Sequence, residues 1–289
     1  MKLINIIATI IIASVVSFLM VQNRGPQESL VKAEAKSVYD RVIETGKIRC
    51  GYLIYQPAIV KDPNSGELSG VLYDFIEEIG RKLSLEIEWV EETGWSNFLN
   101  DLKTDRFDMM CGTAWKNSAR GREGTPLDPF YYSAVATWVR ADDDRFDEDV
   151  YKLNDPAYTI STIDGATPDF IRNSDFPKSQ AHSLTELSPY SDMMLAVVTN
   201  KADATFTEVY GARLFLDKNP GTMKQVGKPL RYYGNVMWVK KGQQDFESMI
   251  NTAIEEISNT DFLGKTFEKY NIPEGVYLKP VKPYQEANK

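Results

Sequence analysis

Cysteine and histidine are nearly absent: the 289 residues hold two Cys and one His. Two cysteines cannot build a disulfide-rich scaffold or a cysteine-based structural zinc site, and one histidine leaves no multi-histidine metal centre. Basic residues are outnumbered, 33 Lys+Arg against 41 Asp+Glu, giving a formal charge of −8. That balance argues against nucleic acid, whose phosphates call for a Lys/Arg surplus, and against a polybasic membrane-surface protein. The common signature loops are missing too. No Gly-x-x-x-x-Gly-Lys phosphate loop, no Gly-x-Gly-x-x-Gly turn and no Gly-x-Ser-x-Gly elbow for His182 occurs. No cofactor and no metal is implied, and the acidic surplus reads as solubility.

Long apolar runs are limited to one, Leu3–Val21, which carries no charge and follows Lys2. It is long for a signal-peptide core and just long enough to span a bilayer. A cleaved signal and a retained signal anchor both stay open. Either places residues from 25 onward outside the cytoplasm, because Lys2 favours the inner side and no second run returns.

The remainder is a globular α/β chain. Residues 25–43 are polar and read as a linker with some helical tendency. Ile48–Gly51 reads as a strand, and Leu72, Phe75, Ile76, Ile79 and Leu83 recur at helical spacing. Leu85, Ile87 and Trp89 alternate with glutamates as in a strand. A helix at Phe98–Leu102 and a strand at Phe107–Cys111 complete a β-α-β-α-β order, which predicts parallel strands with crossover helices. A comparable pattern follows from Tyr131 onward, so the expectation is two α/β lobes of similar size. The expected division is 44–138 for the first part of lobe I, 139–234 for lobe II, 235–272 for the return to lobe I, and 273–289 for an extended surface tail. Ligands in such folds sit in the crevice at the carboxyl ends of the strands.

Three places could carry chemistry. Cys111-Gly112-Thr113-Ala114-Trp115 ends a strand and leads to Arg120, whose guanidinium suits a carboxylate. A solvated helix arginine would look the same. Thr167 before Pro168 is a candidate N-cap of an anion-receptive helix start, or a plain cap. Glu208, at a strand exit, could meet an ammonium or lie on the surface. Tyr55, Trp95 and Trp115 stand in loops where aromatics stack on ligands or simply pack.

Taken together, these segments resemble the family 3 extracytoplasmic solute-binding proteins, the polar amino-acid receptors of ABC importers. The resemblance runs from about Glu44 to Ile272. It rests on Gly46–Gly51, on Asn64–Gly70 with Tyr73–Phe75, on Trp95 with Phe107-Asp108, on Arg120 with Asp128–Ser133, on Ala202–Ala204, and on Tyr233-Gly234 with Lys240. It implies a two-lobed type II periplasmic-binding fold, each lobe a mostly parallel sheet flanked by helices, with the ligand cleft between them. By resemblance, Arg120 and Thr167 grip a ligand α-carboxylate, Glu208 its ammonium, and Tyr55 stacks on it, with Thr113, Trp115 and Trp95 alongside. The implied protein is a monomeric, non-enzymatic receptor that closes on an amino acid or related solute and docks onto a membrane permease. Departures exist: Trp115 replaces a usual hydroxyl, and Glu208 stands where aspartate is usual. They leave two alternatives, an accessory protein for a periplasmic dehydrogenase or sensor without such a ligand, and a dehydratase of cyclohexadienyl acids with Glu208 as general acid. Cys50 and Cys111 end strands that this fold sets side by side. A bridge is open to them in an oxidising compartment, but neighbouring parallel strands are poor geometry for one, so two reduced, buried thiols are expected.

Overall fold

The computed structural model describes residues 36–280. The apolar run at Leu3–Val21 and the end of the tail lie outside them. Among the described residues no helix is long and apolar enough to cross a membrane. The described part opens on helix α1 (Val38–Thr45), whose cap Ser37 accepts from the Asp40 amide at 3.1 Å. Val42 is fully buried, so the folded part begins within the segment expected to be linker.

The first lobe is built on β1 (Lys47–Tyr52), β4 (Glu86–Glu92), β5 (Met109–Cys111), β6 (Gly124–Pro126) and β12 (Trp238–Lys240). They form a five-stranded sheet in the order β4-β1-β5-β12-β6. β1 runs parallel to both β4 and β5, while β12 is antiparallel to β5 and β6. A small hairpin of β2 (Val60–Lys61) and β3 (Leu68–Ser69) precedes α2 (Val71–Leu83). α2 buries Leu72, Phe75, Ile76 and Ile79, one stripe at 3–4 spacing, and ends at Ser84 in the left-handed region, φ 56°. The short helices α3 (Phe98–Lys103) and α4 (Ser118–Glu123) follow β4 and β5. β4 is an edge strand and exposes Glu86, Glu88 and Glu92, which discourages pairing with another chain.

The second lobe repeats the plan with β7 (Tyr131–Arg140), β8 (Thr159–Ile163), β9 (Gln180–Leu184), β10 (Ala204–Glu208) and β11 (Met223–Asn235). Their order is β11-β7-β10-β8-β9. β8 is parallel to β9 and β10, and β7 is antiparallel to β10 and β11. Helices α5 (Thr167–Asp175), α6 (Tyr190–Val198) and α7 (Val209–Lys218) cover this sheet. The chain then adds α8 (Gln244–Ser258) and α9 (Phe262–Lys269), which pack beside α2 in the first lobe. Neither β9 nor α7 has a clear sequence signal. β9 is short and mostly polar, and α7 carries Gly211 within a helix.

β7 pairs inside the second sheet from Tyr131 to Arg140, so the chain crosses between lobes before Tyr131, not after Trp138. An apolar run shows that a strand exists but not which sheet takes it. β11 returns beside β7, with Asn235 opposite Tyr131, and the chain enters the first sheet again at Trp238. The tail joins this crossing: Leu278 bridges Tyr132, and Tyr277 is 5% exposed. The tail is anchored at Tyr277, whose aromatic side chain finds an apolar seat against Tyr131, rings 4.4 Å apart and stacked, while Glu274, Gly275, Leu278 and Lys279 stay exposed.

Cys50 and Cys111 form a disulfide, contrary to the reduced state expected. Register supplies the reason. Cys50 lies opposite Met109, so Cys111, two residues on, projects from the same face as its diagonal neighbour. The Cα atoms are 5.5 Å apart, well inside bridging range.

Candidate functional site

Arg120 sits in α4, which Asn117 caps by accepting from the Arg120 amide at 2.9 Å. Its side chain is 3% exposed. Nη1 donates to the Trp115 carbonyl at 3.1 Å and Nη2 to the Gly165 carbonyl of the second lobe at 2.7 Å. Phe98 and Phe170, one from each lobe, lie 5.3 and 5.1 Å from the guanidinium carbon. Among the described residues no carboxylate pairs with it. Burial pulls its pKa down to about 10, so the group stays charged at neutral pH. A guanidinium carries five donors, and these two carbonyls leave most of them available to an anion.

Glu208 ends β10 immediately before α7 and is 1% exposed. Oε1 accepts from Ser133 Oγ at 2.6 Å and Oε2 from Tyr277 Oη at 3.2 Å. The Tyr55 hydroxyl also approaches this carboxylate, but it makes no bond of good geometry. Burial pushes the Glu208 pKa up to about 7, against the lowering effect of these hydroxyls. A hydrogen-bonded chain leads away through the crossing strands. Trp115 Nε1 donates to Asn235 Oδ1 at 2.8 Å, Asn235 Nδ2 donates to Ser133 Oγ at 2.9 Å, and Ser133 donates to Glu208. Trp115 also stacks on Tyr233, 4.7 Å between centroids and 10° between planes. A loop residue of the first lobe is thereby built into the second lobe's core.

Thr167 is buried, but it is not the cap of its helix. Ala166 occupies that position with no side-chain hydrogen bond, and Thr167 is the first helical residue with Pro168 behind it. Proline fits there equally well, because its missing N–H belongs to the first turn. Tyr55, Thr113 and Thr207 carry buried hydroxyls with no protein partner, as does Tyr131. Unpaired buried hydroxyls are uncommon, and groups of them mark places where a partner is expected.

The lobes are closed on each other. Ser96 donates its amide to Glu186 Oε2 at 3.0 Å and its hydroxyl to the Asp164 carbonyl at 3.1 Å, and Asn97 Nδ2 donates to Glu186 Oε1. Gly165 permits this approach: its φ is +71°, and a Cβ there would come within 2.5 Å of Ser96 Oγ. Tyr190, at the start of α6 after Pro189, meets Tyr55 and Trp95 from across the cleft, with centroids 4.7 and 5.7 Å away. Its phenol lies within electrostatic reach of both Arg120 and Glu208, and burial raises its pKa. These rings line a cavity of about 740 Å³, whose wall also includes Glu186 and Thr207. Neither Arg120 nor Glu208 lines it.

Of the sequence candidates, Arg120, Glu208, Tyr55 and Trp95 gather around Tyr190, while Trp115 serves the crossing strands. Tyr190, Tyr277 and Asn235 were missed. The proline that fixes the start of α6 was the available signal for Tyr190. Tyr277 had none, because its role depends on where the tail lies.

Comparison with known proteins gives a consistent result. The model of the bacterial extracellular solute-binding proteins, family 3, matches residues 48–273. A probable histidine-binding protein of Campylobacter jejuni is 24% identical over 220 residues, which is 75% of this chain and 82% of that protein. The glutamate-binding protein GluB of Corynebacterium glutamicum is 25% identical over 232 residues, covering 74% of this chain and 75% of that protein. Among solved structures, an ancestral amino acid-binding protein described as a precursor of cyclohexadienyl dehydratase superposes with a TM-score of 0.71 at 21% identity. That match covers 81% of this chain and 99% of the other.

Proposed function

The chain belongs to the bacterial extracellular solute-binding proteins, family 3, and on that premise we propose that it closes on a small amino-acid-like solute and hands it to the permease of an ABC importer. The observation that supports this most is Arg120: a 3% exposed guanidinium with no carboxylate partner among the described residues, in the same cleft as a buried glutamate. A lone buried charge is costly unless something pairs with it. An α-carboxylate supplies that pairing for Arg120, with Thr167 and the first amides of α5 beside it. An α-ammonium would favour the ionised form of Glu208, whose carboxyl burial pushes up to about 7, and pair with it. The two grips come from different lobes, so a ligand touching both stabilises the closed form over the open one. In a cleft closed to water both contacts strengthen. The relatives named above are called histidine- and glutamate-binding proteins. Their shared ligand chemistry is the amino-acid backbone that this arrangement fits. The cycle needs no covalent step.

A second reading, an accessory protein without such a ligand, draws on Tyr190 filling the space between Tyr55 and Trp95. Thermal shift of the full chain against the individual amino acids separates the two. At a ligand concentration of about 100 Kd the melting temperature rises by roughly 5–10 °C, and Arg120→Ala abolishes the rise. No shift with any amino acid or related metabolite sinks the solute-capture reading.

A further inference from the structure

The proposed site does not use the large cavity next to it. Three aromatic rings line that cavity, while Arg120, Thr167 and Glu208 do not. Tyr55 and Trp95 come from the first lobe, on the loops after β1 and β4, with centroids 6.0 Å apart and planes perpendicular. Tyr190 comes from the second lobe and touches both edge-on. Rings at these separations are in van der Waals contact, so no ligand side chain passes between them. The cavity they line has a volume of about 740 Å³, roomy enough for a drug-sized molecule. Its inner end reaches the back of the site. A Cβ placed on Gly211 would sit 3.6 Å from both Tyr55 Oη and Thr207 Oγ1, and Thr207 directly precedes Glu208. Apolar Leu187, Met194 and Leu214 lie on its second-lobe wall.

We propose that Tyr190 determines ligand size: in the closed protein its ring walls off the cavity, so the site takes α-amino acids with short side chains, such as glycine, alanine, serine or cysteine. This rests on the solute-capture reading and specifies its substrate class. Arg120 and Glu208 hold the ligand's two charged groups: Arg120 donates to the carbonyl of Gly165, which meets Ser96 beside Trp95, and Glu208 follows Thr207, a neighbour of the Tyr55 hydroxyl. The ligand backbone is therefore held next to Tyr55 and Trp95, the two rings that Tyr190 touches, and its side chain has only the space that the three rings leave. Tyr55 and Trp95 cannot yield easily. Both are buried, and each is anchored in the first lobe's apolar core. Tyr190 stands at the first position of α6, at the lobe surface. It is only partly buried where it packs against that core, so shortening it uncovers less apolar surface than shortening Tyr55 or Trp95 would, and doing so joins the cavity to the site.

The test is a ligand profile of the full-length wild type, Tyr190→Ala, Tyr190→Leu and Tyr190→Phe, by thermal shift and calorimetry. The probes are glycine, L-alanine, L-serine and L-cysteine against L-leucine, L-methionine and L-phenylalanine. The wild type is expected to bind the short set and to discriminate against the long set. Tyr190→Ala is expected to tighten binding of the long set by at least about tenfold, the size of effect that filling an apolar pocket gives. Tyr190→Leu follows in the same direction and keeps the question answerable if the alanine variant folds poorly. Tyr190→Phe keeps the ring and the short-chain preference. Long and short amino acids bound alike by the wild type, or an unchanged profile in Tyr190→Ala and Tyr190→Leu, overturn the role of Tyr190 while leaving solute capture standing. Absence of binding by every probe in every variant overturns both.

Discussion

Replacing Glu208 by Gln tests the electrostatics of the cleft without any ligand. Burial holds the Glu208 carboxyl up to about 7, against an ordinary value of 4.5. The folded chain therefore keeps this proton to near neutrality, while the unfolded chain releases it at ordinary carboxylate pH. Between those values the folded state binds more protons, so stability falls as pH rises. The contribution is fully present below the unfolded value and fully lost above about 7. A gap of roughly 2.5 pH units corresponds to about 3 kcal/mol. For a protein of this size that is roughly 6–12 °C in melting temperature. The Glu208→Gln variant has no such slope. It also changes what Ser133 and Tyr277 can donate to, but that offset does not vary with pH. The informative quantity is thus the difference between wild type and Glu208→Gln, followed by urea denaturation of the full chain from about pH 4 to about pH 8. The wild type should lose about 3 kcal/mol relative to the variant across that range. A flat difference, or one of opposite sign, would show that Glu208 is not held in this desolvated setting.

Tyr277→Phe removes the 3.2 Å hydrogen bond to Glu208 Oε2, a bond that lowers that carboxyl's pKa. The substitution should cost about 1 kcal/mol and move the midpoint of the Glu208-dependent slope to higher pH in the same urea series. An unmoved midpoint would detach the tail from the site. Cys50→Ala with Cys111→Ala opens a covalent loop of sequence separation 61. It should lower stability by about 2–4 kcal/mol, and dithiothreitol should reproduce the loss in the wild type. An equal melting temperature for fully reduced and oxidised protein, with reduction verified by thiol titration, would contradict this.

Much of this protein is determined by its sequence alone. The apolar stripe of α2, the alternation in β4 and the strand end at Gly112 need no distant partner to be read, because period and turn chemistry are local. Gly51, read as a strand end, instead lies inside β1. The order of these elements carries the two-lobed α/β architecture. Glu208, Tyr55 and Trp95 stand out because each has a chemistry-bearing side chain at a strand exit or loop of that plan, and Arg120 because it stands in the short helix that follows β5. Other features depend on pairings between residues far apart in the chain. Only register places Cys111 diagonal to Cys50 and so makes a disulfide of two thiols expected to stay apart. Only the path of the tail brings Tyr277 to Glu208, a sequence separation of 69. The hydrogen-bonded chain from Trp115 through Asn235 and Ser133 exists because β7 and β11 cross side by side. Tyr190 is an ordinary helix-start residue in the sequence. It becomes the wall of the cleft only when the lobes close, because burial and desolvation belong to the space between elements and not to any one of them.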